Sequence, residues 1–80
     1  MEDKIAVVAI IVSEEEAVER VNELLHTFRK NIIGRLGIPY RQKGVSVISV
    51  VLDAPQETLS SLSGKLGMIK GVSSKVLTTK

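Results

Sequence analysis

The stretch KIAVVAIIVSEEEAVERVNELLHTFRK, residues 4–30, decides the fold of this 80-residue protein. It begins with an aliphatic run rich in valine and isoleucine, Lys4–Val12, whose length and β-branching favour a strand. Ser13 and three glutamates follow, which is a capping-box pattern with Ser13 as the predicted N-cap and Glu16 at the third helical position. Apolar residues then recur at helical spacing and predict a helix over about 14–29. The stretch therefore predicts a strand followed directly by a helix.

The chain after this helix predicts two strands joined by a hairpin. Asn31–Tyr40 contains β-branched residues interrupted by glycines and a proline, which predicts a bulged edge strand. Arg41–Gly44 is typical of a hairpin turn, with the glycine free to adopt a positive φ. Val45–Asp53 is a second long aliphatic strand. We expect Asp53 to cap a second helix, with Pro55 in its first turn.

The second helix and a last strand complete a regular order of elements. The predicted apolar stripe of the helix consists of Leu59, Leu62, Leu66 and Ile69. Gly71 is expected to end the helix, and Val72–Thr79 to form a short strand. The order βαββαβ predicts an α+β fold of the ferredoxin-like type over residues 1–80 as a single domain. Right-handed crossovers place the first and third strands at the centre of a four-stranded antiparallel sheet, with two helices on one face.

The two predicted central strands are apolar on both of their faces. Two helices cover only one face of such a sheet, and the other face ordinarily alternates to polar residues. Leaving about half a dozen aliphatic side chains exposed would forgo on the order of 10 kcal/mol of burial and would promote aggregation. We therefore expect a homo-oligomer assembled through the uncovered face of the sheet. The predicted interface residues are Val8, Ile10, Val12, Ile48 and Val50.

Composition narrows the classes of function. The chain has no cysteine and one histidine, His26, so it cannot form disulfides, thiolate metal sites or a multi-histidine centre. We expect no metal and no cofactor. Its longest uncharged stretches, Ile5–Ser13 and Gly44–Leu52, fall well short of the roughly 20 residues that span a bilayer. The N-terminal residues do not have the pattern of a signal peptide, so we expect a cytoplasmic protein with no membrane partner.

Charge is divided unevenly along the chain. Residues 1–28 contain seven acidic residues and two basic ones, whereas residues 29–80 contain nine basic residues and two acidic ones. Helix capping explains most of the acidic excess. The basic excess includes a dense cluster around the predicted edge strand and hairpin, consisting of Arg35, Arg41 and Lys43 with Tyr40. Neighbouring residues expected to shape its backbone are Gly34, Gly37, Pro39 and Gly44.

This basic cluster has two interpretations. Charges on an edge strand protect it from pairing with other chains and keep the protein in solution. The same charges can form a binding site for an anion or for a partner protein. A second glycine-rich segment, Gly64–Gly67, lacks the spacing of a phosphate-binding loop and is interpreted as a weakened helix end.

Direct nucleic-acid binding is not expected. RNA-recognition motifs share the predicted fold, but they stack bases on aromatic residues of the two central strands. Here both central strands carry only aliphatic and small residues. The first helix is acidic, and the second has only Lys65 and Lys70 near its end.

Three segments together resemble the family of small regulators of the iron-only hydrogenase system. They are IIGRLGIPYRQKGVSVISVVLD (residues 32–53), VNELLH (residues 21–26) and LSGKLG (residues 62–67). The resemblance implies an ACT-like ferredoxin fold related to the ligand-binding domain of nickel-responsive repressors. It also implies a regulatory role linked to iron-only hydrogenase genes. The nickel-binding histidines and cysteine of those repressors have no counterpart in this sequence.

We therefore expect a non-catalytic oligomeric regulatory module that senses a small anionic ligand or docks a partner protein. The residues expected to bind are Arg35, Tyr40, Arg41 and Lys43. Two other classes remain open. One is a purely structural subunit of a larger complex. The other is a small enzyme whose site lies between subunits and uses His26 or a carboxylate.

Overall fold

A computed structural model describes residues 2–79 as one four-stranded sheet with two helices. The elements are β1 (Asp3–Val12), α1 (Glu15–Thr27), β2 (Ile32–Tyr40), β3 (Val45–Pro55), α2 (Gln56–Gly67) and β4 (Val72–Thr78), with single 3₁₀ turns at Arg29–Asn31 and Arg41–Lys43. The strands lie in the order β2-β3-β1-β4, and every neighbouring pair is antiparallel. This arrangement confirms the ferredoxin-like α+β fold and the central position of β1 and β3.

The connection between β1 and α1 differs from the predicted capping box. Glu14, not Ser13, is the N-cap of α1, and its side chain makes no capping hydrogen bond. The Ser13 hydroxyl instead donates to the Gly71 carbonyl at 3.1 Å, and the Ser13 amide donates to the same oxygen at 2.8 Å. Ser13 therefore joins the end of β1 to the loop before β4, and that contact removes its side chain from the helix.

The start of α2 also differs from the prediction. Asp53 remains inside β3, where it is paired with Ile5, and the N-cap of α2 is Pro55. The pairing of β1 with β3 continues as far as Asp3 and Pro55. Because this ladder extends two residues beyond the predicted strand end, the helix begins at Gln56 and Asp53 cannot cap it.

The edge strand β2 and its hairpin agree with the sequence pattern. The register between β2 and β3 shifts between Ile32 and Gly34, which is the predicted bulge. The turn at Arg41–Lys43 ends at Gly44, whose φ of 64° lies in the left-handed region that glycine adopts without strain. The turn thus carries its basic side chains at the tip of the hairpin.

One face of the sheet forms the hydrophobic core with both helices. Its β1 side chains are Ala6, Val8, Ile10 and Val12, and its β3 side chains are Ile48, Val50, Leu52 and Ala54. All are buried beneath the apolar stripes of α1 and α2. The prediction of the interface residues is therefore wrong, because the protein's own helices cover all five of them. These residues are Val8, Ile10, Val12, Ile48 and Val50.

The opposite face of the sheet, here called the open face, is largely apolar and uncovered in the single chain. Cross-strand partners point to the same side of a sheet, so the register assigns the odd-numbered residues of β1 and β3 to this face. Its exposed large apolar side chains include Ile5, Val7, Ile11, Leu36, Ile38, Val47 and Leu77. The expected bare apolar face therefore exists, on the side opposite to the residues predicted to form it.

Two neighbouring isoleucines test which face is the core. Ile10 is fully buried and Ile11 is 49% exposed. We predict that Ile10→Ala lowers the free energy of unfolding by about 2–5 kcal/mol because it leaves a cavity. Ile11→Ala should cost less than about 1 kcal/mol in dilute protein, because its side chain is already half in water. Urea unfolding followed by circular dichroism measures both, and a larger loss for Ile11→Ala would reverse the assignment of the faces.

Two glycines provide a matched test of backbone requirements. Gly71 has a φ of 84°, and a Cβ there would lie 2.7 Å from the Glu14 Cγ. Gly71→Ala should therefore destabilise the protein by roughly 1–3 kcal/mol. Gly64 lies inside α2, and a Cβ there would meet nothing within 4 Å, so Gly64→Ala should stabilise the protein by about 0.5–1 kcal/mol. Equal urea-unfolding midpoints for the two variants would contradict the different backbone requirements assigned to these glycines.

Candidate functional site

A groove of about 790 Å³ lies between α1 and the β2–β3 hairpin. This volume falls in the range of small-molecule sites. The α1 wall consists of Glu15, Val18, Glu19 and Asn22. The hairpin wall and floor consist of Pro39, Tyr40, Arg41, Gly44, Val45 and Ser46, together with Val12 at the end of β1.

The groove exists because α1 packs over the centre of the sheet and not over its β2 edge. The buried stripe of α1 is Ala17, Val21 and Leu25. No residue of β2 is buried, so the helix-facing side of this strand remains accessible. The residues of the α1 wall recur every three or four positions, which puts them on one flank of the helix. That flank faces the space that the helix leaves above β2.

The two walls of the groove carry opposite charges. Glu15 and Glu19 lie on the α1 wall, and Arg41 lies on the hairpin wall. All three side chains are exposed. Val18 and Val45 add apolar surface to the same groove. The groove therefore offers a small molecule charges of both signs together with apolar contact.

Arg35 and Asn22 connect α1 to β2 beside this groove. The Arg35 Nη2 donates a hydrogen bond of 2.6 Å to the Asn22 Oδ1. Arg35 is the cross-strand partner of Val50, whose side chain is buried under the helices. Arg35 therefore extends from the helix-facing side of β2, and its bond to Asn22 ties the edge strand to α1.

Tyr40 lies where the groove meets the open face. Its hydroxyl donates to the Gln42 Oε1 at 2.8 Å within the hairpin turn. Tyr40 is paired with Val45, two positions along the strands from the exposed pair Ile38 and Val47. Tyr40 and Val45 also line the groove. The two surfaces thus share these two residues.

The structure brings together part of the predicted binding cluster. Tyr40 and Arg41 line the groove, and Arg35 lies beside it through its bond to Asn22. Lys43 is exposed in the same turn but is not among the lining residues. Of the predicted shaping residues, Pro39 and Gly44 line the groove. A Cβ at Gly34 or at Gly37 would meet nothing within 4 Å.

Sequence reasoning did not identify the α1 wall. The sequence pattern indicated helix capping for Glu15, and it did not single out Glu19 or Asn22 as binding residues. Their spacing of four and three residues was a signal that they share a flank. The pattern did not show that this flank faces the hairpin, because that depends on where α1 lies across the sheet.

Other candidate residues lie away from the groove. His26 is exposed in the last turn of α1, and it is not a lining residue. Glu23 lines a separate cavity of about 360 Å³ between the helices. Within residues 2–79, no group of three or more metal-ligating side chains could hold an ion. No helix in the same range is long and apolar enough to cross a membrane.

Comparison with protein families gives one match over most of the chain. Residues 4–76 match a family described as "TM1266-like: Iron-only hydrogenase system regulator, putative". A comparison of the sequence with curated proteins finds no match.

Solved structures support the same relationship. The structure of the uncharacterized protein TM1266 from Thermotoga maritima is 40% identical, with a TM-score of 0.94, over 99% of this chain and 100% of that one. The ACT domain of a GTP pyrophosphokinase from Chlorobium tepidum is 18% identical, with a TM-score of 0.77, over 96% and 99% of the two chains. The apo form of CPII, a nitrogen regulatory PII-like protein from Thiomonas intermedia K12, is 16% identical with a TM-score of 0.52, over 95% and 91%. The last two show likeness of fold alone.

Proposed function

Because the chain belongs to the TM1266-like family of iron-only hydrogenase system regulators, we propose that it is a non-catalytic regulatory module that senses a small ligand in the groove between α1 and the hairpin. The observation that carries this proposal is the groove itself, which is lined by Arg41 from the hairpin and by Glu15 and Glu19 from α1.

The charges of the groove define the chemistry of the ligand. We propose that an anionic group of the ligand binds beside Arg41, because its guanidinium offers several hydrogen-bond donors to phosphate or carboxylate oxygens. Glu15 and Glu19 on the other wall would repel a second anionic group. The remainder of the ligand is therefore neutral or cationic. The basic cluster alone predicted an anionic ligand. The acidic wall of the groove narrows that prediction to a ligand whose anionic group is joined to a neutral or cationic part.

The open face is proposed to bind a second copy of this chain. Its apolar side chains lie on all four strands, which gives a continuous surface of the kind that oligomers bury. The same face carries Lys75 on β4 and Asp53 on β3. A second copy therefore supplies charges of both signs along with a matching apolar surface. A two-fold dimer uses one such self-complementary patch twice.

The ligand proposal is tested with two related probes, inorganic phosphate and phosphoethanolamine, titrated by isothermal calorimetry and amide chemical shifts. We expect phosphoethanolamine to bind more tightly, because its ammonium group meets Glu15 or Glu19. Arg41→Gln should weaken both probes by about tenfold, which corresponds to about 1.4 kcal/mol. Lys43→Gln removes the same charge from the same turn outside the groove and should change binding less than about twofold.

The acidic wall is tested with its own matched pair. Glu19→Gln should weaken phosphoethanolamine but not phosphate, since only the former carries a cation. Glu23→Gln removes a carboxylate one turn further along α1, away from the groove, and should leave both affinities unchanged. If phosphoethanolamine binds no better than phosphate, or if neither shifts the amides around Arg41, the assigned ligand chemistry is wrong.

Assembly is tested by sedimentation velocity over micromolar concentrations. We expect the wild type to sediment as a species larger than the 8.7 kDa monomer. Leu77 is 73% exposed on the open face, and Leu77→Glu should yield the monomer because a buried carboxylate opposes association. Ser61→Glu adds the same charge on the exposed side of α2 and should assemble normally. A monomeric wild type, or an assembled Leu77→Glu, would contradict the proposed interface.

A further inference from the structure

Tyr40 and Val45 belong to two surfaces at once. They line the groove, and their register puts them at the end of the open face, next to the exposed pair Ile38 and Val47. From this shared pair we infer that ligand binding in the groove and assembly through the open face are coupled, so that each favours the other. The inference rests on the proposed function, because it requires both a groove ligand and a second copy.

Apart from its strand pairing with β3, the segment that joins the two surfaces is held by few contacts in the single chain. Tyr40 is 44% exposed, and its hydroxyl is bonded to Gln42 within the same turn. The turn itself is closed by the bond from the Gly44 amide to the Arg41 carbonyl at 3.1 Å. Every residue from Gly34 to Gly44 is exposed, and the hydrogen bond from Arg35 to Asn22 ties this segment to α1. This end of the hairpin is therefore free to change position at small cost.

The sign of the coupling follows from this exposure. A ligand that contacts Arg41 fixes the turn and, through it, Tyr40 at the rim of the open face. A second copy that covers the open face fixes Tyr40 and Val45 from the other side. Whichever binds first removes conformational freedom that the other would otherwise have to remove. Binding at each surface should therefore strengthen binding at the other.

Thermodynamic reciprocity provides a test that does not depend on altering the shared residues. If two ligands, one on each copy, tighten dimer formation by some factor, then dimer formation must tighten the binding of each ligand by the square root of that factor. Leu77 lies on β4, at the edge of the sheet opposite to β2 and the groove. A substitution at Leu77 cannot contact a ligand in the groove. Any effect on ligand affinity must be transmitted through assembly.

The experiment measures phosphoethanolamine affinity by calorimetry and the dimer dissociation constant by sedimentation, on the wild type, Leu77→Glu and Leu77→Lys. We expect saturating phosphoethanolamine to lower the wild-type dimer dissociation constant by about fivefold or more. Both Leu77 variants should be monomeric and should bind phosphoethanolamine more weakly than wild type by about the square root of that factor, roughly twofold, because each dimer binds two ligands. Using both charge signs separates the loss of assembly from a direct electrostatic effect, and Ser61→Glu should behave as wild type in both measurements.

The outcomes separate this inference from the proposed function. If phosphoethanolamine shifts the amides around Arg41 but leaves the dimer dissociation constant unchanged, the coupling is refuted and the sensing role stands. Equal ligand affinity in the wild type and both Leu77 variants refutes the coupling in the same way. If phosphoethanolamine does not bind near Arg41 at all, the proposed ligand site fails, and the coupling fails with it.

Discussion

The packing of two helices against one face of a four-stranded sheet is the interaction on which the rest of the structure depends. Among residues 2–79, fifteen buried hydrophobic residues form this single core, and the sheet contributes Val8, Ile10, Val50 and Leu52 to its centre. In a chain of 80 residues, two short helices can cover only one side of the sheet. The second apolar face is therefore a direct consequence of the first, because β1 and β3 carry aliphatic side chains on both sides.

The same packing explains the groove. The buried stripe of α1 requires the helix to lie over the central strands, where the core side chains are, and this leaves the helix-facing side of β2 accessible. The hairpin turn then places Arg41 opposite the flank of α1 that carries Glu15 and Glu19. The hydrogen bond between Arg35 and Asn22 joins the helix to the edge strand across this gap. One packing arrangement thus produces a charged groove and an apolar face that meet at Tyr40.

Much of the fold was predictable because local patterns and topology agreed. The aliphatic runs, the helical stripes and the hairpin glycine each indicated one element, and the ferredoxin-like order followed from handedness. The two predicted helix caps were wrong for a common reason. Ser13 and Asp53 have side chains suited to capping, but long-range pairing with Gly71 and with Ile5 determines where the strands end. In both places the long-range hydrogen bonds of the sheet and its loops outweighed the local preference of the side chain for capping a helix.

The residue pattern along the chain was enough to predict the elements, their order, the presence of a second apolar face and part of the hairpin wall of the groove, including Tyr40 and Arg41. Only the tertiary structure decided which face is the core and which residues complete the groove. In β1 and β3 the two alternating sets of side chains are almost equally apolar, so the pattern along the chain does not distinguish them. The side on which the helices cross over selects one set, and it also brings Glu15, Glu19 and Asn22 next to a hairpin about 20 residues away. Both results depend on the relative position of whole elements, which no local spacing of residues encodes.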